Sequence, residues 1–389
     1  MLKIPAKTEY VIDRLIENGY EAYIVGGCVR DMLLGKPPYD FDVTTSATPT
    51  EVISLFAKTV PTGIKHGTVT VIIENENIEV TTFRTESGYS DSRHPENVSF
   101  ITSLKEDLAR RDFTVNAIAY NNNVGIKDYF GGTKDLQNKV LKAVGEPEKR
   151  FAEDALRILR LFRFASTLNF SIEKKTLLSA LKLAGGLKNI SRERIAAELK
   201  KAVSGENIKA LAPLISSGGL SFINITACPN FEAVKKCSAN QSLAFFTFLY
   251  TAKCDILTVL DELKSSNKLK NYCATLLKLL EYPLPQSKAE IKKMIAILSV
   301  DIFEDYLTLR NVLFDDNISI LKDLLNEIIK NGEPYLISHL NINGKELSEL
   351  GIKDRKIGKT LVFLKEKVIE NPSDNTKKKL IEYILKNNL

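Results

Sequence analysis

The apolar residues of this chain change their period near residue 148, and that change bounds what it can fold into. Upstream, short β-rich runs at Ala22–Val25, Phe41–Thr44, Thr68–Ile73, Asn77–Phe83 and Val124–Tyr129 alternate with helical patterns. Those patterns cover Tyr10–Asn18, Val29–Leu34, Thr50–Phe56 and Leu104–Ala119. The polar Glu74-Asn75-Glu76 stretch reads as a hairpin turn. Downstream, strand signals nearly vanish, and apolar residues recur at helical spacing, as in Ile195/Leu199/Val203 and Ile318/Leu321/Leu325/Ile328. The chain therefore reads as α+β: an α/β head followed by a long all-α remainder. Its 389 residues correspond to two to four domains.

Charge divides at the same place. Residues 1–147 carry 16 Lys and Arg against 20 Asp and Glu, and the remainder carries 38 against 28. A basic back half suits a polyanion, although Lys-rich helices also serve simply to solubilise an α-domain. No stretch approaches the ~18 apolar residues of a membrane span, so no membrane partner is expected. Met1 to Tyr10 has no apolar signal core. Five cysteines without paired spacing argue against a disulfide framework or zinc site and fit a reducing cytoplasm.

Chemistry concentrates in four short segments. In Tyr23-Ile-Val-Gly-Gly-Cys-Val-Arg-Asp31 a strand runs into Gly26-Gly27 and then a helix, which can present backbone N–H groups to phosphate, with Arg30 as a clamp. The same pattern also serves as a plain turn. Asp40-Phe41-Asp42 follows; on a strand both carboxylates share a face, where a cation relieves their repulsion. Hard oxygen ligands favour Mg²⁺. Taken alone, the pair also fits the solvated charges of an edge strand. Glu79, a charge within a β-branched run, is a candidate third carboxylate or a hairpin surface residue. Glu153, Asp154, Arg157 and Arg160 have i,i+3 and i,i+4 spacings that bring them together on a helix.

Gly26-Gly-x-Val-Arg-Asp31, Asp40-Phe-Asp42, Arg110-Arg-Asp-Phe-Thr-x-Asn-Ala117 and Glu153-Asp-x-x-Arg157-x-x-Arg160 occur in this order. Together they resemble class II tRNA nucleotidyltransferases, the family of bacterial CCA-adding enzymes and their poly(A) polymerase relatives. The match is clear over residues 20–200, with a weaker echo at Ile342-Asn-Gly-Lys-Glu-Leu347. The resemblance implies a catalytic head over 1–147 with a mixed sheet, a base-selecting neck over 148–210, a body over 211–300 and a tRNA-binding tail over 301–389. It implies template-independent addition of C, C and A to tRNA from CTP and ATP. Asp40 and Asp42 would hold Mg²⁺, with Glu79 beside them.

Within that resemblance Gly26, Gly27, Arg30, Arg111, Asp112 and Asn116 are expected to contact nucleotide, Asp112 by accepting from a ribose 2′-hydroxyl. Asp154, Arg157 and Arg160 also belong to the nucleotide site. Asp154 and Arg157 would read the base: a carboxylate accepts from the exocyclic amine of cytosine or adenine, and a guanidinium donates to the adjacent ring nitrogen. Guanine and uracil present the opposite polarity. Glu153 is expected to orient Arg157. Tyr89, Asp91 and Arg93 lie in a loop that helps family members switch from cytidine to adenosine. Asp128-Tyr-Phe-Gly-Gly132 resembles a head–neck joint and also reads as a tight turn. Ser191-Arg-Glu-Arg-Ile195 reads as packing, with no catalytic role for Arg192 or Arg194.

A-adding, CC-adding and poly(A)-adding members are the neighbouring readings. The full-length loop disfavours CC addition, and no basic extension beyond Lys377–Lys379 suggests a poly(A) polymerase. A non-catalytic RNA-binding protein has no need of both Asp40 and Asp42. A small-molecule nucleotidyltransferase has no need of the long basic α-region.

Overall fold

The computed structural model describes residues 2–87 and 97–387. The expected loop residues Tyr89, Asp91 and Arg93 lie outside the described residues. The chain divides into two compact units, Met1–Ser265 and Ser266–Leu389. The boundary falls inside the segment expected as a body, 211–300.

In the first unit, α1 (Ala6–Glu17) precedes β1 (Ala22–Val25), α2 (Gly27–Leu33), β2 (Val43–Thr45) and α3 (Pro49–Leu55). Then come β3 (Thr59–Gly63), β4 (Thr68–Ile73), β5 (Glu76–Thr82), β6 (Arg84–Ser87) and β7 (Asn97–Phe100). After α4 (Leu104–Ala109) follow β8 (Ala119–Asn121) and β9 (Gly125–Lys127). Seven strands form one sheet in the order β3-β4-β5-β2-β1-β8-β9. Only β2 and β5 pair in parallel within it, so the sheet is mixed. β6 and β7 form a separate antiparallel ribbon.

Local chemistry accounts for several of these elements. Thr48 and Glu51 close a capping box over α3, with Pro49 in its first turn. Glu74 and Asn75 both have positive φ, 46° and 68°, which matches the twist of the β4–β5 hairpin. Tyr23, Val25, Phe83, Leu104, Leu108, Ala117, Ala119 and Val144 pack into one core beside the sheet.

Two helical expectations are corrected. The pattern over Leu104–Ala119 yields only the six-residue α4 and a 3₁₀ turn at Thr114–Asn116. Phe113, Val115, Ala117, Ile118 and Ala119 are all buried, so this apolar run packs on every side rather than along one stripe. Phe113 is extended and bridges to Ala143. The second correction concerns residues 153–160. After α5 (Gly132–Gln137) and β10 (Val140–Leu141), α6 (Pro147–Glu153) stops at Asp154, whose φ and ψ are −141° and 105°. A new helix, α7 (Leu156–Leu168), begins two residues later. The acidic and basic groups therefore flank a break rather than share one helix.

The rest of the first unit is helical apart from β11 (Ser171–Ile172), which pairs in parallel with β10. It includes α8 (Lys174–Leu183), α9 (Arg192–Val203), α10 (Ala212–Ser216), α11 (Phe231–Lys236), α12 (Gln241–Thr251) and α13 (Ile256–Glu262). Leu243 to Leu249 of α12 is buried on all sides, with Phe245, Phe246 and Phe248 fully enclosed. Each such side chain stabilises the unit by about 1.5–3 kcal/mol. Among the described residues no single helix is long and apolar enough to cross a membrane. The second unit is all helical, α14 (Asn267–Leu280) to α20 (Lys377–Lys386), with α19 (Arg355–Glu370) and α20 enclosing a core of Ile342, Leu347, Leu364, Val368 and Leu380.

The glycine pair before α5 is pinned. The Asp128 carboxylate accepts from the N–H groups of Phe130, Gly132 and Thr133 and from the Thr133 hydroxyl. Gly131 has φ of 76°, whereas Gly132 is needed for space: a Cβ there would lie 2.1 Å from the Thr114 carbonyl oxygen. The segment forms a tight, packed turn. Gly132→Ala should therefore destabilise the first unit by about 1–3 kcal/mol. Urea unfolding followed by circular dichroism measures it. A change under ~0.5 kcal/mol would show that the turn yields freely.

Candidate active site

Gly26 sits where β1 turns into α2, with φ of 80°, and a Cβ on it would approach Arg111 Nη1 to 3.1 Å. The positive φ favours glycine here, and its missing side chain leaves room for the arginine. The Gly26 N–H donates to the Ile118 carbonyl, which takes it away from any phosphate. Asp40 and Asp42 lie in the lead-in to β2 rather than within it. The Asp42 carbonyl accepts from the Val25 N–H, which ties that lead-in to β1.

A cleft of about 550 Å³ in the first unit brings the expected residues together. Gly26, Gly27, Arg30, Asp40 and Asp42 line one part of it. Arg111, Asp112, Asn116, Asp154, Arg157 and Arg160 line the rest. Glu153 and Glu79 do not line it. Loss of hydration, then Asp40, then Glu79 push the Asp42 carboxyl above its usual range, and Arg111 opposes them. A cation at this pair would relieve that repulsion. Among the described residues no group of three or more His, Cys, Asp and Glu side chains is placed to hold a metal ion. Glu79 acts on Asp42 through its field. It borders a smaller cavity of about 200 Å³ that shares Asp42, Arg110 and Arg111 with the cleft.

Asp112 is the buried anchor. Its Oδ1 accepts from the Phe113 N–H at 2.8 Å and from Asn116 Nδ2 at 3.0 Å. Its Oδ2 accepts from Arg160 Nε at 2.9 Å and Nη2 at 2.7 Å. A carboxylate offers about four lone-pair sites, and four donors fill them. In this geometry Asp112 borders the cleft and holds Asn116 and Arg160 in place. Burial alone would raise its pKa, but Arg160 and Asn116 outweigh burial and bring it down to about 2. Asn116 Oδ1 in turn accepts from Arg30 Nη1 at 2.7 Å, and Arg30 Nε donates to Asp31. Arg30 is thus a buried strut at the cleft wall.

Arg157 is fixed from three directions. Its Nη1 donates to Glu153 Oε2 at 2.7 Å and to the Arg150 carbonyl at 3.0 Å, and Nη2 donates to the Arg110 carbonyl at 3.0 Å. Two of its five N–H groups remain. Asp154 uses its position at the helix break: Oδ1 accepts from the Leu156 N–H at 2.9 Å, and Oδ2 accepts from Arg194 Nη2 at 2.8 Å.

Arg110 of the Arg110-Arg-Asp motif borders the cleft, as does Arg194, which was expected only to pack. Arg163 and Phe164 border it too and were missed from sequence. Arg163 lies 3.5 Å over the Phe164 ring and pairs with Glu198 at 2.7 Å; burial pulls its pKa down to about 10. Arg30 and Arg160 approach the same ring at 5.1 and 5.3 Å. Arg163 continues the three-residue spacing of Arg157 and Arg160, which was a usable signal. Glu198, a buried acid on the stripe of α9, was another. Asp107 anchors Arg110 and Arg111 through i,i+3 and i,i+4 pairs. Burial would raise Asp107, but Arg111 and Arg110 hold it below its ordinary range.

Comparison with known proteins places this geometry. Residues 22–142 match the family described as the poly A polymerase head domain, and 169–223 match the probable RNA and SrmB-binding site of polymerase A. A CCA-adding enzyme from Staphylococcus haemolyticus is 37% identical, across 97% of this chain and 96% of its own length. A CCA-adding enzyme from Oceanobacillus iheyensis is 36% identical across 98% and 97%. The crystal structure of the Bacillus stearothermophilus CCA-adding enzyme in complex with CTP superposes with a TM-score of 0.81, at 30% identity, across 98% of this chain and 96% of that one.

The Asp112 pair carries a pH signature. Its depressed pKa contributes stability that is present above the ordinary carboxylate value near 4 and lost as pH falls toward 2. Asp112→Asn should cost about 3–5 kcal/mol at pH 7, because Arg160 loses its principal partner. In urea titrations that gap should narrow below pH 4 as the wild-type carboxylate protonates. A gap unchanged to the lowest pH at which both proteins fold would contradict the assignment.

Proposed function

The chain belongs to the CCA-adding enzymes of the tRNA nucleotidyltransferase family, and from that premise we propose how its residues add C, C and A to the 3′ end of tRNA. In each cycle the tRNA 3′-oxygen bonds to the α-phosphorus of CTP or ATP. The bond to the β-phosphate oxygen breaks, its electron pair leaves with pyrophosphate, and the hydroxyl proton passes to solvent. Asp40 and Asp42 present hard carboxylate oxygens beside a polar cleft, a donor set that suits Mg²⁺ shared with substrate phosphates. When bound there, the ion neutralises developing charge and acidifies the attacking hydroxyl. Arg111 and its neighbours attract the triphosphate by charge and by their fork of donors.

Asp154 and Arg157 select the base. Glu153 and two carbonyls fix Arg157 and leave it two N–H groups for a ring nitrogen. Arg194 and the Leu156 N–H fix Asp154, which retains lone pairs for an exocyclic amine. Such a pair accepts cytosine and adenine and refuses guanine and uracil. The observation that carries this reading is that Asp154 and Arg157 share one cleft with Asp40 and Asp42.

In this reading residues 148–210 select the base, and residues 211–300 and 301–389 hold tRNA. Ten basic against five acidic residues in 351–389 support a phosphate-reading tail. The five free cysteines fit a cytoplasmic enzyme.

Transcripts ending before CCA, at C and at CC, offered CTP and ATP singly and together, test this directly on a sequencing gel. Full CCA from the shortest transcript is expected, and products stopping at CC or running to long A tracts would overturn it. Asp42→Ala should lower incorporation roughly 10³-fold or more with tRNA binding retained. Asp154→Ala and Arg157→Ala should each cost about 1–3 kcal/mol of discrimination against UTP or GTP. Unchanged selectivity in both would end the base-reading assignment.

A further inference from the structure

In-line nucleotidyl transfer places the attacking oxygen and the leaving pyrophosphate on opposite sides of the α-phosphorus. Asp42 borders two cavities of different character. The larger contains Arg157, Arg160 and Arg163 and suits a triphosphate and base. The smaller, about 200 Å³, is bounded by Glu79, Thr68 and Thr81 on the β4–β5 hairpin together with Asp42, Arg110 and Arg111. Thr68 and Thr81 are directly opposite in register, and their hydroxyls are hydrogen-bonded at 3.1 Å. Glu79 lies two residues before Thr81 and so on the same face of β5. Two hydroxyls that share one bond keep one O–H to donate and lone pairs to accept.

We propose that this smaller cavity receives the terminal ribose of the tRNA being extended, with the Thr68–Thr81 hydroxyl pair holding its 2′-hydroxyl so that the 3′-hydroxyl faces Asp42. The inference rests on the transferase reading above and assigns its acceptor side. Val25, Val43 and Arg84 complete its lining, and its small size together with the threonine hydroxyls matches a sugar diol better than a base. A 2′-hydroxyl both donates and accepts, as the threonine pair does, and it is the group that separates RNA from DNA. Thr68 and Thr81 are positioning residues in this account.

The test compares primer tRNAs ending in ribose and in 2′-deoxyribose, with wild type, Thr68→Val, Thr81→Val and Thr81→Ser. Wild type is expected to use the deoxy end about tenfold less efficiently. Thr81→Val and Thr68→Val should raise KM for tRNA by a similar factor and treat both ends alike. KM for CTP, and CTP binding by calorimetry, should stay within about twofold. Thr81→Ser keeps the hydroxyl and should restore discrimination, which a purely structural role would not require. A ribose-to-deoxyribose ratio unchanged in both valine variants would overturn the proposal, as would a wild type indifferent to the terminal sugar. A rise confined to KM for CTP would place the threonines on the nucleotide side and also overturn it. Failure of wild type to extend the ribose-ended primer would refute the transferase reading itself.

Discussion

The buried pair between Asp112 and Arg160 is the contact on which the cleft depends. Asp112 follows α4 beside the sheet, Arg160 lies on α7, and 48 residues separate them. Their double hydrogen bond ties the wall that carries Asn116 and Arg30 to the helix that carries Arg157 and Arg163. Without a negative centre at Asp112, Arg160 and Arg163 would both depend chiefly on Glu198, with Asp154 adding to Arg160. Buried charges tolerate such proximity only when paired and hydrogen-bonded.

This construction explains why so many arginines can crowd one site. Arg30, Arg160 and Arg163 all lie against the Phe164 ring, and Phe164 meets Phe113 edge-on at 5.8 Å. The aromatic floor and the carboxylates Asp107, Asp112, Asp154 and Glu198 hold the guanidiniums in fixed directions. A triphosphate then meets donors that need little rearrangement, the condition under which electrostatic stabilisation is most effective. The break at Asp154 serves the same end, because it frees the carboxylate from the helix surface and lets Arg194 and the start of α7 fix it.

Much of this was legible in the linear chain because the groups lie in short motifs. Asp40, Asp42, Arg111, Asn116, Asp154 and Arg157 all reached the cleft expected for them. What was not legible depended on long-range contact. Asp154–Arg194 and Arg163–Glu198 join α9 to the start and middle of α7, and no local spacing reports them. The anchoring of Asp112 was hidden because two of its four donors come from Arg160, 48 residues away on α7. The stop after Glu153 was hidden because acidic and basic residues at i,i+4 look the same on one helix as across a break. Lys292, almost fully buried against Glu333 in the second unit, would pass in sequence for an ordinary surface lysine.

A double-mutant cycle on Asp112→Asn and Arg160→Gln, read by CTP affinity in calorimetry, tests the central claim most directly. If the pair organises the cleft, each single change weakens CTP about tenfold, and the double change is no weaker than the worse single. Fully additive losses, or CTP affinity unchanged by either substitution, would contradict the account.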